Sequence, residues 1–251
     1  MTGDQYLRNV LAKYVVNEAN VKSEVNRLYP IVQRWGGNVL LESIYSGSIA
    51  KGTAISLSTD ADVFLSLSSS TTGTLRQIYD SLASFFHSAG YSPIRQNVSI
   101  GIRSSSFKID WVPGRRQSQY GYDHSLYKRK TDSWTKTNVK THVSTVSSSN
   151  RIDEIRLTKI WRDLHKLDFP SFYLELAVID TLRYSAYGDI ATNFFRILQF
   201  LASTKFPNSR YSDPSNTNNV VSADLSYFER VRIQSQAGVS ASKTQWGQIV
   251  W

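Results

Sequence analysis

Cysteine is absent from all 251 residues. That excludes a disulfide framework and any thiolate metal site, a cysteine-bound zinc insertion included, and makes an intracellular, cytoplasmic home the expectation. No stretch approaches the roughly 18 apolar residues that a bilayer span needs. The opening MTGDQYLRNVLAKYVV carries Asp4 early and lacks the basic start and apolar core of a signal peptide. No membrane partner is expected. The four histidines, His87, His124, His142 and His165, show no ligand spacing and read as structural or exposed. No internal repeat is visible.

What is present is ordinary for a globular protein: 41% apolar and 20% charged residues, in a chain long enough for one compact bilobal domain or two small ones. Lys and Arg exceed Asp and Glu by 29 to 20, a net charge of +9. Such an excess favours polyanionic partners, whether NTP phosphates or RNA or DNA. Many basic proteins nevertheless bind no nucleic acid.

Helical spacing runs through residues 4–35 (Leu7, Val10, Leu11, Tyr14, then Val21, Val25, Leu28, Val32) and predicts one long helix or two short ones, ended by Gly36-Gly37. A β-rich run over 39–45 stops at Gly47-Ser48, and 46–59 reads as a loop or short helix. Residues 60–67 alternate, with Asp60, Asp62 and Phe64 on one face and Ala61, Val63, Leu65 and Leu67 on the other. A helix is predicted over 74–88, then strands around 100–102 and 107–112, the latter ended by Pro113-Gly114. The basic, Ser/Thr/Tyr-rich segment 113–150 reads as a long excursion with a short strand or two, bridging two lobes. Its cations suit either RNA or a solvated flank. Helices are predicted over 153–166, 171–185 and 189–203. A polar loop over 212–219 follows, and Ser226 with Glu229 forms a capping box that opens a last helix. The order implies an α+β fold, a mixed sheet with helices over 1–145, whose N-terminal helix can span both lobes, and a helical lobe over 146–251.

Two carboxylates at i and i+2 on a strand point the same way, about 6–7 Å apart at Cα. With a third on a neighbouring strand they make an oxygen-rich set suited to hard divalent ions. Asp60 and Asp62 supply the pair. Asp110, an acid inside the apolar run Ile109-Asp110-Trp111, is the candidate third. Taken alone, the pair equally suits a solvated edge strand. The loop before it weighs toward chemistry. Gly47 lets backbone amides approach a phosphate, Ser48 adds a hydroxyl, and Lys51 and Thr53 offer a charge and a second hydroxyl.

The run 47–53 (GSIAKGT), then Asp60-Ala61-Asp62, then Asp110, resembles the G-S…D-x-D…D signature of the DNA polymerase β-like nucleotidyltransferases. Residues 155–161 (IRLTKIW) and 170–176 (PSFYLEL) look like helical-lobe motifs of the oligoadenylate synthetase and cyclic GMP-AMP synthase branch, which includes bacterial CD-NTases. Residues 213–220 (DPSNTNNV) are similar to a late segment of that branch and of archaeal CCA-adding enzymes. The resemblance spans about 40–250. It implies a bilobal nucleotidyltransferase fold whose helical lobe closes over the nucleotide, and two Mg²⁺ ions, replaceable by Mn²⁺. Asp60 and Asp62 would hold both ions. Asp110 would hold the catalytic one and help deprotonate the acceptor hydroxyl. It further assigns Ser48 to the β- or γ-phosphate, Lys159 and Ser171 to the triphosphate tail, and Phe172 to stacking on the donor base. The family usually has tyrosine there, so stacking, worth about 1–3 kcal/mol, would survive without the hydroxyl's polar contact. Without the resemblance, Lys159 also suits a solvent-facing helix, and Phe172 and Tyr173 suit a core, as Trp161 does.

Three activities fit. One is a template-independent synthetase that makes a cyclic or linear oligonucleotide messenger for antiviral-type signalling, with ATP the expected NTP and an RNA or protein activator. Another is a CCA-adding-like RNA 3′-end transferase. The third is a nucleotide-binding module without turnover. The chain's length favours the first over the second, and the three intact carboxylates disfavour the third.

Overall fold

The computed structural model describes every residue except Thr59, where the predicted 46–59 loop ends, and Ser105 and Ser106. It separates into two compact units. A sheet unit comprises Asn17–Lys51 and Thr59–Val143, and a helical unit comprises Met1–Val16, Gly52–Ser58 and Ser144–Trp251. Neither unit is continuous along the chain. Helix α1 (Gly3–Lys13) buries Leu7, Val10 and Leu11, and the segment after Lys51 buries Ile55, in one core with Trp161, Tyr173 and Phe194. Apolar burial, rather than order along the chain, assigns these pieces to the helical unit.

The sheet unit begins with α2 (Glu18–Gly36), β1 (Leu40–Ser46) and the single-turn α3 (Gly47–Lys51). Next come β2 (Asp60–Leu67), α4 (Leu75–Ser88), β3 (Ile94–Arg95), β4 (Ile100–Ser104) and β5 (Phe107–Arg116). The hairpin β6 (His124–Lys128) and β7 (Ser133–Thr137) follows, and then α5 (Val139–Ser147), along which the chain passes into the helical unit after Val143. Strand order is β1-β2-β5-β4-β3, with β6 on β5 and β7 on β6. Strands β2 and β5 are parallel and the other pairs antiparallel. The predicted excursion over 113–150 is therefore largely an extension of this sheet.

Strand β5 runs through Pro113-Gly114 instead of stopping there. On one side Pro113 and Gly114 pair with Leu65 and Ser66 of β2. On the other side, pairing with β4 ends at Trp111 and pairing with β6 begins at Arg115. Pro113 falls in that gap, so its missing N–H removes no ladder bond. Gly114 leaves room for the Phe64 ring, with which a Cβ would collide.

The predicted alternation of β2 holds as a division of faces. Val63 lies opposite Trp111, and the Trp111 ring packs against Phe86 of α4 at 5.8 Å. The opposite face carries Asp60 and Asp62 at one end and Phe64 at the other. Phe64 is buried with Leu126 of β6 and Val139 of α5. This second small core buries the outward face of β2 from Phe64 onward and leaves the acidic end uncovered.

The helical unit contains α1, α6 (Ile152–Leu164), α7 (Ser171–Thr181), α8 (Ile190–Ala202) and α9 (Tyr227–Ala241). The expected capping box is formed: the Ser226 hydroxyl accepts from Glu229 N, and the Glu229 carboxylate from Ser226 N. Where a polar loop was expected over 212–219, a short hairpin forms from β8 (Ser212–Asp213) and β9 (Asn216–Val220). The buried Asp213 carboxylate anchors it by accepting from Ser215 and Asn219. Among the described residues, no helix is long and apolar enough to cross a membrane.

Candidate active site

Six of the sequence-predicted residues lie in the sheet unit, at one end of β1, β2 and β5. Parallel register sets Asp60 beside Lys108 and Asp62 beside Asp110. Because side chains alternate, all four project from the same face, three carboxylates and one ammonium at the corners of a square. Asp60 is exposed, Asp62 half-buried and Asp110 buried.

Crowding three acids has an electrostatic cost. The Asp62 pKa is pushed up from 3.8 to about 6, first by burial, then by the charges of Asp110 and Asp60. Lys51 and Lys108 pull it partly back. Burial also raises the Asp110 carboxyl, against the bond and charge from Lys108. Lys108 Nζ donates to Asp110 Oδ2 at 2.9 Å and lies 3.5 Å from Asp60 Oδ2. The Asp110 Oδ1 oxygen accepts from the Gln96 amide.

Two glycines make the space. Gly47 follows β1 directly, with φ +57, and a Cβ there would collide with the Asp62 carboxylate. Its lack of a side chain thus serves the acid as well as any approaching phosphate. Gly101 of β4 lies opposite Asp110, and a Cβ there would come within 2.9 Å of Asp110 Oδ1 and 3.1 Å of Lys108 Cε. Ser48 is half-buried at the start of α3, and Lys51 is buried at its end.

In donor type and placement, Asp60, Asp62 and Asp110 suit a hard divalent ion, and Lys108 already stands between two of them as a cation. They are not drawn together into a finished cage: among the described residues, no group of three or more His, Cys, Asp or Glu side chains converges closely enough to hold an ion.

Thr53, Lys159, Ser171 and Phe172 belong to the helical unit. Lys159 is not on a solvent-facing surface. It is 2% exposed, and its Nζ bonds Glu175 Oε1 at 2.6 Å and Thr53 Oγ1 at 2.8 Å. The Thr53 hydroxyl in turn donates to Glu175 at 2.9 Å. Ser171 Oγ accepts from Arg162 at 2.9 Å, and Phe172 packs partly buried on the helical core, where Tyr173 and Trp161 are fully buried.

Lys108, Gln96, Gly101 and Glu175 escaped the sequence reading. Lys108 had a usable signal, since it stands two residues before Asp110 and so shares its face. Glu175 had one too, as an acid between Leu174 and Leu176. Gln96, just after β3, and Gly101 of β4 are placed by the pairing of β3 with β4 and of β4 with β5, which no local pattern announces.

No family model matches the chain. The cyclic AMP-AMP-AMP synthase of Escherichia coli (strain MS 115-1) is 25% identical over 232 residues, 80% of this chain and 72% of that protein. The solved structure of E. coli MS115-1 CdnC with ATP superposes with a TM-score of 0.69 at 22% identity, covering 89% of this chain and 83% of that one. The CD-NTase CdnG of Bradyrhizobium diazoefficiens, solved with GTP, gives 0.73 at 12% identity, covering 98% and 94%. The expected α+β nucleotidyltransferase fold is the one observed. The chain is thus similar in sequence to a cyclic AMP-AMP-AMP synthase and in fold to the CD-NTases.

Proposed function

We propose that the chain is a template-independent nucleotidyltransferase that moves an NMP from an NTP, ATP foremost, onto a hydroxyl and makes a cyclic or linear oligonucleotide messenger for antiviral-type signalling. The observation that carries this reading is the in-register pairing of Asp62 with Asp110 across parallel β2 and β5, with Asp60 on the same face. The likeness to a cyclic AMP-AMP-AMP synthase supports the class of product.

In this reading the acceptor oxygen bonds to the α-phosphorus, the bond from that phosphorus to the β-phosphate bridging oxygen breaks, and pyrophosphate leaves. Asp60, Asp62 and Asp110 would hold Mg²⁺ or Mn²⁺, which would neutralise charge developing on the phosphates. The Asp110 carboxylate receives the acceptor proton and passes it to solvent. Backbone amides at Gly47 and the hydroxyl of Ser48 bind phosphate oxygens, with Lys51 lending charge. Lys159, Ser171 and Phe172 keep the triphosphate and base roles that the resemblance assigns them, and Thr53 acts through Lys159.

The test is to incubate the purified protein with labelled NTPs and Mg²⁺ or Mn²⁺, with and without RNA, and to separate the products. Pyrophosphate and a small oligonucleotide are expected, both lost in Asp60→Asn. Unchanged product formation in that variant would overturn the metal assignment. Labelled RNA with no small product would replace the messenger reading with RNA end-transfer. NTP binding without pyrophosphate release would reduce the chain to a binding module.

A further inference from the structure

The fourth corner of the acidic square has no role in the reading above. Lys108 cannot leave it easily, because backbone pairing with Asp60 and the two-residue step to Asp110 fix its stem beside both acids. Its side chain is 25% exposed, and its ammonium contacts Asp110 Oδ2 at 2.9 Å and Asp60 Oδ2 at 3.5 Å. Gly101 supplies the space in which the stem bends, since a Cβ there would press on Lys108 Cε. The cluster is therefore built around the ammonium.

We infer that Lys108 is a tethered counterion. Without a bound metal it holds Asp60 and Asp110 together, and it gives way when a divalent cation binds, so it sets the cation concentration at which the site loads. The inference rests on the proposed metal role of these acids. An ammonium and a divalent ion compete for the same oxygen, Asp110 Oδ2, and repel one another at such distances. An ammonium accepts loose geometry, whereas Mg²⁺ demands oxygens at about 2.0–2.1 Å in octahedral array. The lysine can thus preserve the acidic face without mimicking its loaded form.

The sign of one measurement separates this role from a merely structural one. Mn²⁺ binding to the full chain, without nucleotide, is followed by electron paramagnetic resonance of the free ion. The proteins compared are the wild type, Lys108→Met, Lys108→Gln, Lys108→Arg and Asp62→Asn, each checked for fold by circular dichroism. Removal of the charge in Lys108→Met should tighten Mn²⁺ binding about tenfold, and Lys108→Arg, which keeps the charge, should stay near wild type. Melting temperature in EDTA should fall in Lys108→Met and recover on adding Mn²⁺. If Lys108→Met does not fold, Lys108→Gln makes the same comparison. Equal or weaker binding in the neutral variants, with wild-type binding intact and lost in Asp62→Asn, overturns the counterion role and leaves the metal site standing. Absence of Asp62-dependent binding in the wild type and in the neutral variants overturns the metal reading, and this inference with it.

Discussion

Lys159 and Glu175 form an ion pair of 2.6 Å inside the helical unit, with side chains 2% and 1% exposed. Such a pair gains little over an apolar one, but losing one member leaves a charge buried without its partner. Glu175→Gln should therefore cost about 3–5 kcal/mol in urea unfolding. The double variant Lys159→Met, Glu175→Leu should recover most of that. If Lys159 also holds a triphosphate, the double variant will be stable and still bind NTP poorly. Restored nucleotide affinity would confine the lysine to a structural role.

Gly47→Ala should reduce both stability and turnover. The substitution strains a left-handed backbone, at about 1–2 kcal/mol, and drives a methyl into the Asp62 carboxylate. Gly52→Ala is the control. Gly52 shares the left-handed conformation, φ +73, but its added Cβ would meet nothing nearer than Ile152 at 4.0 Å. It should show the stability loss alone. Equal turnover in the two variants would refute a steric role for Gly47 at the acid.

The raised Asp62 pKa fixes the sign of a pH effect. Between the ordinary value of 3.8 and about 6, the folded protein keeps a proton that the unfolded chain releases. Without divalent cation, stability should therefore fall as pH rises through that window, by about 2–3 kcal/mol, and then level off. Asp62→Asn should remove this slope, read as the difference between wild type and variant. A difference that stays flat from pH 4 to 7 would contradict it.

His124 acts with the opposite sign. Its Nδ1 must donate to the Tyr122 carbonyl at 2.8 Å, so neutral Nε2 accepts from Ser66 Oγ, also at 2.8 Å. Burial holds its pKa below 6.5, so its contribution is present above that pH and is lost as pH falls. Hydrogen exchange across His124–Lys128, corrected for its intrinsic rate, should quicken on acidification below pH ~6.5. His124→Gln should abolish that dependence.

Much of this architecture was legible because its signals are local. Period two on β2 placed Asp60 and Asp62 on one face, and Ser226 with Glu229 announced α9. Failures came where the partner lies far along the chain. Pro113-Gly114 reads as a stop until the gap between β4 and β6 is known. Asn216, Asn218 and Asn219 are poor strand formers, and the Asp213 carboxylate pins the hairpin they sit in. Lys108 stood in plain view, but its role depends on Asp60, which the parallel register brings alongside. Lys159 resembles a phosphate ligand of the family, but no local pattern pairs it with Glu175, sixteen residues on.

The chain crosses between its two units after Val16, Lys51, Ser58 and Val143. Neither unit is therefore a continuous stretch that one cut could release. During synthesis, Leu7, Val10 and Leu11 emerge long before Ile249 and Val250 of the same core, and the Tyr14 hydroxyl reaches the Trp251 carbonyl 237 residues later. The helical core is complete only once Ile249 and Val250 have been made. A chain cut before Ile249 should thus expose the apolar face of α1, and a ribosome stalled there would hold an aggregation-prone chain.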